Sequence, residues 1–128
     1  MSATSLRDRY MGDTVATASP ARLLTMLYDR LTLDLERAQF ALDTGDRAMA
    51  NEQLRHAQDI VIELRAGLDV TLWDGGPGLA ALYGWLLAEL ITANITGNKL
   101  KVDQALALVE PLRQAWHEAA GAPDPALP

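Results

Sequence analysis

Residues 19–46 read SPARLLTMLYDRLTLDLERAQFALDTGD, and this stretch decides the fold. Ser19 is a helix-capping residue, and Pro20 fits the first helical position, where a missing N–H costs nothing. Leu24, Leu27, Tyr28, Leu31, Leu35, Ala38 and Leu42 then recur at intervals of three and four, which places them on one face of a helix. Asp43-Thr44-Gly45-Asp46 ends that helix and offers Asp46 as the cap of the next.

Outward from that segment the pattern repeats. Ala50, Leu54, Ala57, Val61, Leu64 and Leu68 define a second apolar face, and Gly75-Gly76-Pro77-Gly78 is a turn. Leu79, Leu82, Tyr83, Leu86, Leu90 and Ala93 carry a third helix, closed by Thr96-Gly97-Asn98. Val102, Ala105, Val109, Leu112 and Trp116 carry a fourth, closed by Gly121. No stretch alternates apolar and polar as a half-buried strand does. The expectation is an all-α, antiparallel up-and-down four-helix bundle over 19–121, with helices at about 19–43, 46–72, 77–96 and 99–120. An N-terminal arm over 1–18, with a short helix around Leu6 to Met11, and a flexible tail over 122–128 complete the chain. Pro111 removes a donor and crowds the preceding turn, so a kink or short break is expected near 107–111.

Composition narrows the function. The chain of 128 residues is 49% apolar and 22% charged, enough for one packed domain. Eleven basic against seventeen acidic residues give a net charge of −6, which argues against nucleic acid as a partner. There is no cysteine, so disulfides, thiol catalysis and thiolate metal sites are excluded. Arg7, Asp8 and Arg9 disfavour a signal peptide. Leu79–Ile95 is interrupted by Glu89, Thr92 and Asn94, which disfavours membrane insertion. A cytoplasmic protein without metal or cofactor is the expectation.

Candidate chemistry centres on the two histidines, His56 and His117. Glu52, His56, Asp59 and Glu63 form a stripe opposite the apolar face of the second helix, read as a solvated charged surface rather than a metal site. A histidine phosphotransfer domain using His56 is the enzyme-like alternative, but Asp59 one turn away repels an incoming phosphoryl group. His117, near a helix C-terminus, is explained by a favourable interaction with the helix dipole.

Surplus apolar surface is the stronger signal. Met26, Leu33 and Phe40 recur every seven residues on the side of the first helix away from its core face, flanked by Arg30 and Arg37. Ile62 on the second helix and Trp85, Ala88 and Ile95 on the third also point away from the core. Such stripes are covered by the arm, by a second copy, or by another chain. On these residues a binding module for an apolar helical segment is favoured over an enzyme, and a monomer or weak dimer is the expectation.

Tyr10, Thr17-Ala18-Ser19-Pro20 and Leu23-Leu24-Thr25-Met26-Leu27-Tyr28-Asp29 resemble the opening of the flagellin-export chaperone family, FliS. The resemblance continues through Ala57–Leu64, Leu68-Asp69, Gly75-Gly76, Leu82-Tyr83, Leu90–Asn94 and Ala115-Trp116. It implies a cytoplasmic helical bundle without catalytic activity that binds the disordered C-terminal region of flagellin. Such a protein prevents premature polymerisation and aids delivery to components of the flagellar type III export apparatus. The resemblance also places Leu6 and Tyr10 in an arm over the client groove. Partner-binding residues are therefore expected to be Leu6, Tyr10, Met26, Leu33, Phe40, Ile62, Trp85 and Ile95. An adaptor bundle for another secreted client is the alternative. Arg30, where the family usually carries a small residue, and Pro111 depart from the pattern.

Overall fold

The computed structural model describes residues 20–69 and 74–121. Four helices run in order: α1 (Pro20–Asp43), α2 (Arg47–Gly67), α3 (Gly76–Thr96) and α4 (Lys99–Gly121). No strand occurs among the described residues. The arm, the Ser19 cap and the tail lie outside them.

Each junction has a local cause. Asp46 accepts a hydrogen bond from the Met49 amide at 3.0 Å, capping α2 as its residue type predicts. Gly45 and Gly97 take positive φ of 76° and 66°, which reverses the chain where a side chain would be strained. Asn98 then caps α4 by accepting from the Leu100 amide at 3.0 Å. Two expectations are corrected. The second helix stops at Gly67 rather than running to 72, because Gly is a poor helix former and Leu68 turns extended. No break occurs at Pro111: α4 is helical throughout. Ala107 and Pro111 are both exposed, which leaves the turn that lacks a donor open to solvent, while Val109, Leu112 and Trp116 hold the flanking turns on the core.

The helices form a square in which α1 packs on α2 and α4, and α3 packs on the same two. Antiparallel register shows in the polar ties between α1 and α4. Asp29 meets His117 and Arg113, Gln39 meets Asp103 at 2.7 Å, and Asp43 meets Lys99 at 3.5 Å. Diagonally opposed α1 and α3 run parallel and meet through the core, where the Tyr28 and Tyr83 hydroxyls share a hydrogen bond at 2.6 Å. Leu31, Leu35, Leu86 and Leu90 continue that buried layer.

Burial raises the proton affinity of both phenols. The Trp116 ring rests on Tyr28 with centroids 6.3 Å apart, but its buried Nε1 has no hydrogen-bond partner.

By length and composition α3 is apolar enough to cross a membrane. In this bundle its inner face, with Tyr83, Leu86, Leu90 and Ala93, is core. Its single charge, Glu89, reaches Lys101 of α4 at 3.3 Å.

Candidate functional site

The circumference of α1 is divided three ways. Tyr28, Leu31, Leu35 and Ala38 face the core. Asp34 is buried on the edge toward α2, and Thr25 and Thr32 are buried on the edge toward α4. What remains is the outer strip, where Met26, Leu33 and Phe40 are exposed, Phe40 to 71%.

Beside that strip an open cleft of about 430 Å³ runs between α1 and α4, lined by Asp29, Thr32, Leu33, Glu36, Leu106, Glu110 and Arg113. Arg113 bridges Asp29 at 2.9 Å and Glu110 at 3.0 Å, and the His117 imidazole reaches Asp29 at 2.6 Å. Partial burial alone raises the Asp29 carboxyl, but the hydrogen bond and charge of His117, reinforced by Arg113, outweigh it and hold it below the usual range. His117 is therefore also tied across helices, to α1. Thr32 is a different case. Thr25 returns its hydroxyl to the Arg22 carbonyl at 2.8 Å, the usual habit of a mid-helix threonine. The Thr32 hydroxyl is buried in the cleft wall with no partner.

The second apolar surface belongs to α3. Trp85, Ile91 and Ile95 are exposed on its outer side, Ile95 to 75%, with Ala88 between them and Ala81 one turn before Trp85. Ile62 shares the α2 edge with Asn51, which accepts from the Asn94 amide of α3 at 2.8 Å, so it sits on the α3 side of the bundle.

Every expected surface residue among the described ones is thus exposed, yet they do not form one continuous track. Because α1 and α3 stand at opposite corners, Met26, Leu33 and Phe40 make one surface, and Ile62, Trp85 and Ile95 belong to another. Leu6 and Tyr10 lie outside the described residues. Ile91, Met49 and Leu100 are exposed apolar residues that the sequence reading missed. Ile91 precedes Ile95 by one turn and was legible on the same stripe.

His56 makes a contact that its stripe did not announce. Its Nδ1 donates to Asp34, whose side chain is fully buried, while Arg30 donates to the other Asp34 oxygen at 3.0 Å. The histidine stays half-exposed on its charged stripe, as expected, and also clasps α1 to α2. Arg30, unusual for the pattern, supplies the second partner of the buried carboxylate. A buried carboxylate against the imidazole adds to the negative charge that opposes phosphotransfer.

Comparisons with known proteins agree with this architecture. A family model described as flagellar protein FliS matches residues 2–123. The flagellar secretion chaperone FliS of Salmonella typhimurium is 32% identical over 108 residues, covering 81% of this chain and 78% of the relative. Its Bacillus subtilis counterpart is 29% identical over 110 residues, covering 86% and 82%. A solved structure described as a flagellar chaperone from bacteria superposes with a TM-score of 0.74 at 21% identity, covering 91% of this chain and 96% of that one, and so shares the fold. A four-helix square with surplus apolar faces, matched by this family model over nearly its whole length, belongs to the FliS family of flagellar secretion chaperones.

Proposed function

We propose that this chain is a cytoplasmic export chaperone that binds the disordered C-terminal region of flagellin, blocks premature polymerisation, and aids transfer to the flagellar type III export apparatus. The observation that carries the reading is the pair of exposed apolar faces on α1 and α3, on a bundle whose interior is already filled. A disordered client loses conformational entropy on binding and needs extended apolar contact to offset it. Two faces at opposite corners suit a client that wraps around the bundle. Leu6 and Tyr10 enter this reading through the family resemblance, as part of the segment that meets the client. No catalytic step is needed.

Isothermal calorimetry with the C-terminal segment of the cognate flagellin tests the proposal. The expected result is a one-to-one complex with a large negative heat-capacity change. Tyr10→Ala is expected to alter that affinity while leaving the melting temperature nearly unchanged. Absence of binding to the cognate segment rejects the reading, and binding to another secreted protein in its place would make the chain an adaptor for that client.

A further inference from the structure

The cleft between α1 and α4 is unbalanced in its own bonding. Three carboxylates line it, Asp29, Glu36 and Glu110, against one base, Arg113. Arg113 is already engaged with Asp29 at 2.9 Å and Glu110 at 3.0 Å, and His117 reaches Asp29 at the same end. Toward the other end of the seam, Lys99 is held by Asp43 at 3.5 Å and by Asp103 at 3.8 Å. Glu36 lies between these two clusters, exposed and with no ionic partner among the described residues. The residues three and four positions from it on α1, namely Thr32, Leu33, Gln39 and Phe40, include no base.

Thr32 stands one turn before Glu36 on the same side of α1 and lines the same cleft. It is only 7% exposed, and its hydroxyl has no hydrogen-bond partner. A mid-helix threonine commonly returns its hydroxyl to a carbonyl of the preceding turn, as Thr25 does, and Thr32 does not. A buried hydroxyl left unmatched is a cost in the empty fold, and an incoming donor removes that cost. Leu33 and Leu106 add apolar wall from the two helices. An apolar wall leading to a lone carboxylate and a free hydroxyl matches a side chain with a hydrocarbon stem and N–H donors at its tip.

We propose that this cleft takes the side chain of an arginine or lysine carried by the client segment, its charged tip donating to Glu36 and the Thr32 hydroxyl and its stem resting on Leu33 and Leu106. The inference rests on the flagellin reading and takes it further by naming one contact and what that contact does. Leu33 belongs both to the outer apolar strip of α1 and to the cleft, so a segment lying along the strip passes the cleft mouth. Apolar contacts are non-directional and allow a disordered client to slide. One basic residue seated beside Leu33 fixes its register.

Calorimetry of the full chain with the cognate flagellin C-terminal segment, at low and at moderate salt, tests this. Glu36→Gln is expected to weaken binding about tenfold at low salt, and the difference should shrink as salt is added. Thr32→Val keeps the shape and removes the hydroxyl. It is expected to weaken binding about threefold while its melting temperature stays level or rises, because an unmatched buried group is gone. A purely structural role for Thr32 would instead lower both together. Each basic residue of the segment is then changed to methionine in turn. One of these changes should cost about tenfold against wild type and nothing further against Glu36→Gln, which identifies the occupant. If wild type binds and both Glu36→Gln and Thr32→Val stay within about twofold of it, the proposal is overturned and the client reading stands. A Glu36→Gln loss that couples to no single basic residue also overturns it, since net charge alone then accounts for the effect. A wild type that does not bind the segment ends both readings.

Discussion

Ile95 and Leu90 lie on the same helix, five residues apart, and separate docking from folding. Ile95 is 75% exposed, whereas Leu90 is fully buried. Complete burial of an isoleucine side chain is worth roughly 1.5–3 kcal/mol, so the three-quarters still open on Ile95 leave about 1–2 kcal/mol for a client to gain. Ile95→Ala should therefore weaken binding of the flagellin C-terminal segment by about 5- to 30-fold. Its melting temperature should move by no more than a degree or two, since little packing is lost. Leu90→Ala should do the reverse. Emptying that core position costs about 2–5 kcal/mol and lowers the melting temperature by roughly 10 °C or more, with affinity preserved at temperatures where the variant is folded. Calorimetry for affinity and circular dichroism for melting decide the matter. Binding by Ile95→Ala within twofold of wild type would show that the outer face of α3 does not dock the client.

Other perturbations probe the frame. Tyr28→Phe leaves the buried Tyr83 hydroxyl unpaired and should cost about 1–3 kcal/mol, while Tyr28→Phe/Tyr83→Phe loses less than the sum of the single changes in denaturant titrations. Because burial raises both phenols, stability should be level below about pH 10, where free tyrosine ionises, and decline as pH rises beyond it; alkaline unfolding followed by phenolate absorbance checks the sign. Gly97→Ala forces a side chain into positive φ and sets its methyl 2.3 Å from the Arg47 guanidinium, which must let go of the Asn94 carbonyl. Its expected cost in chemical denaturation is about 1–3 kcal/mol. His56→Ala removes a donor from a fully buried carboxylate and should cost about 1.5–3 kcal/mol, against under 0.5 kcal/mol for exposed Glu52→Ala on the same stripe; equal small losses would mean that the clasp contributes nothing.

The four core stripes and three of the four helix spans were legible because three-and-four spacing records burial directly. Asp46 and Gly97 announced their turns for the same reason, since capping chemistry and left-handed backbone are local. What was not legible depends on neighbours. Asp34 sits between Leu33 and Leu35 in the sequence, and nothing in its surroundings there says that it turns inward to meet His56 from another helix. The division of the apolar surface into two was equally hidden, because it follows from α1 and α3 taking opposite corners, a fact of topology rather than of periodicity. Pro111 carries an intrinsic penalty in a helix interior, yet it does not break α4. Its position on the solvent side, with Val109 and Leu112 anchoring the turns around it, lets the helix continue.

The greasiness of α3 bears on how the protein is made. Chains grow and emerge from the N-terminus at about 5–20 residues per second, so for a second or more α3 is in the open while the helix that shields one of its flanks is still inside the ribosome. In that interval a segment suited to a lipid interior is at hazard of sticking to its siblings or entering a bilayer. Glu89 stands mid-segment with its partner Lys101 not yet emerged. An unpaired carboxylate there is costly to bring into hydrocarbon, so the residue that later joins two helices first acts as a sentry for the newborn chain.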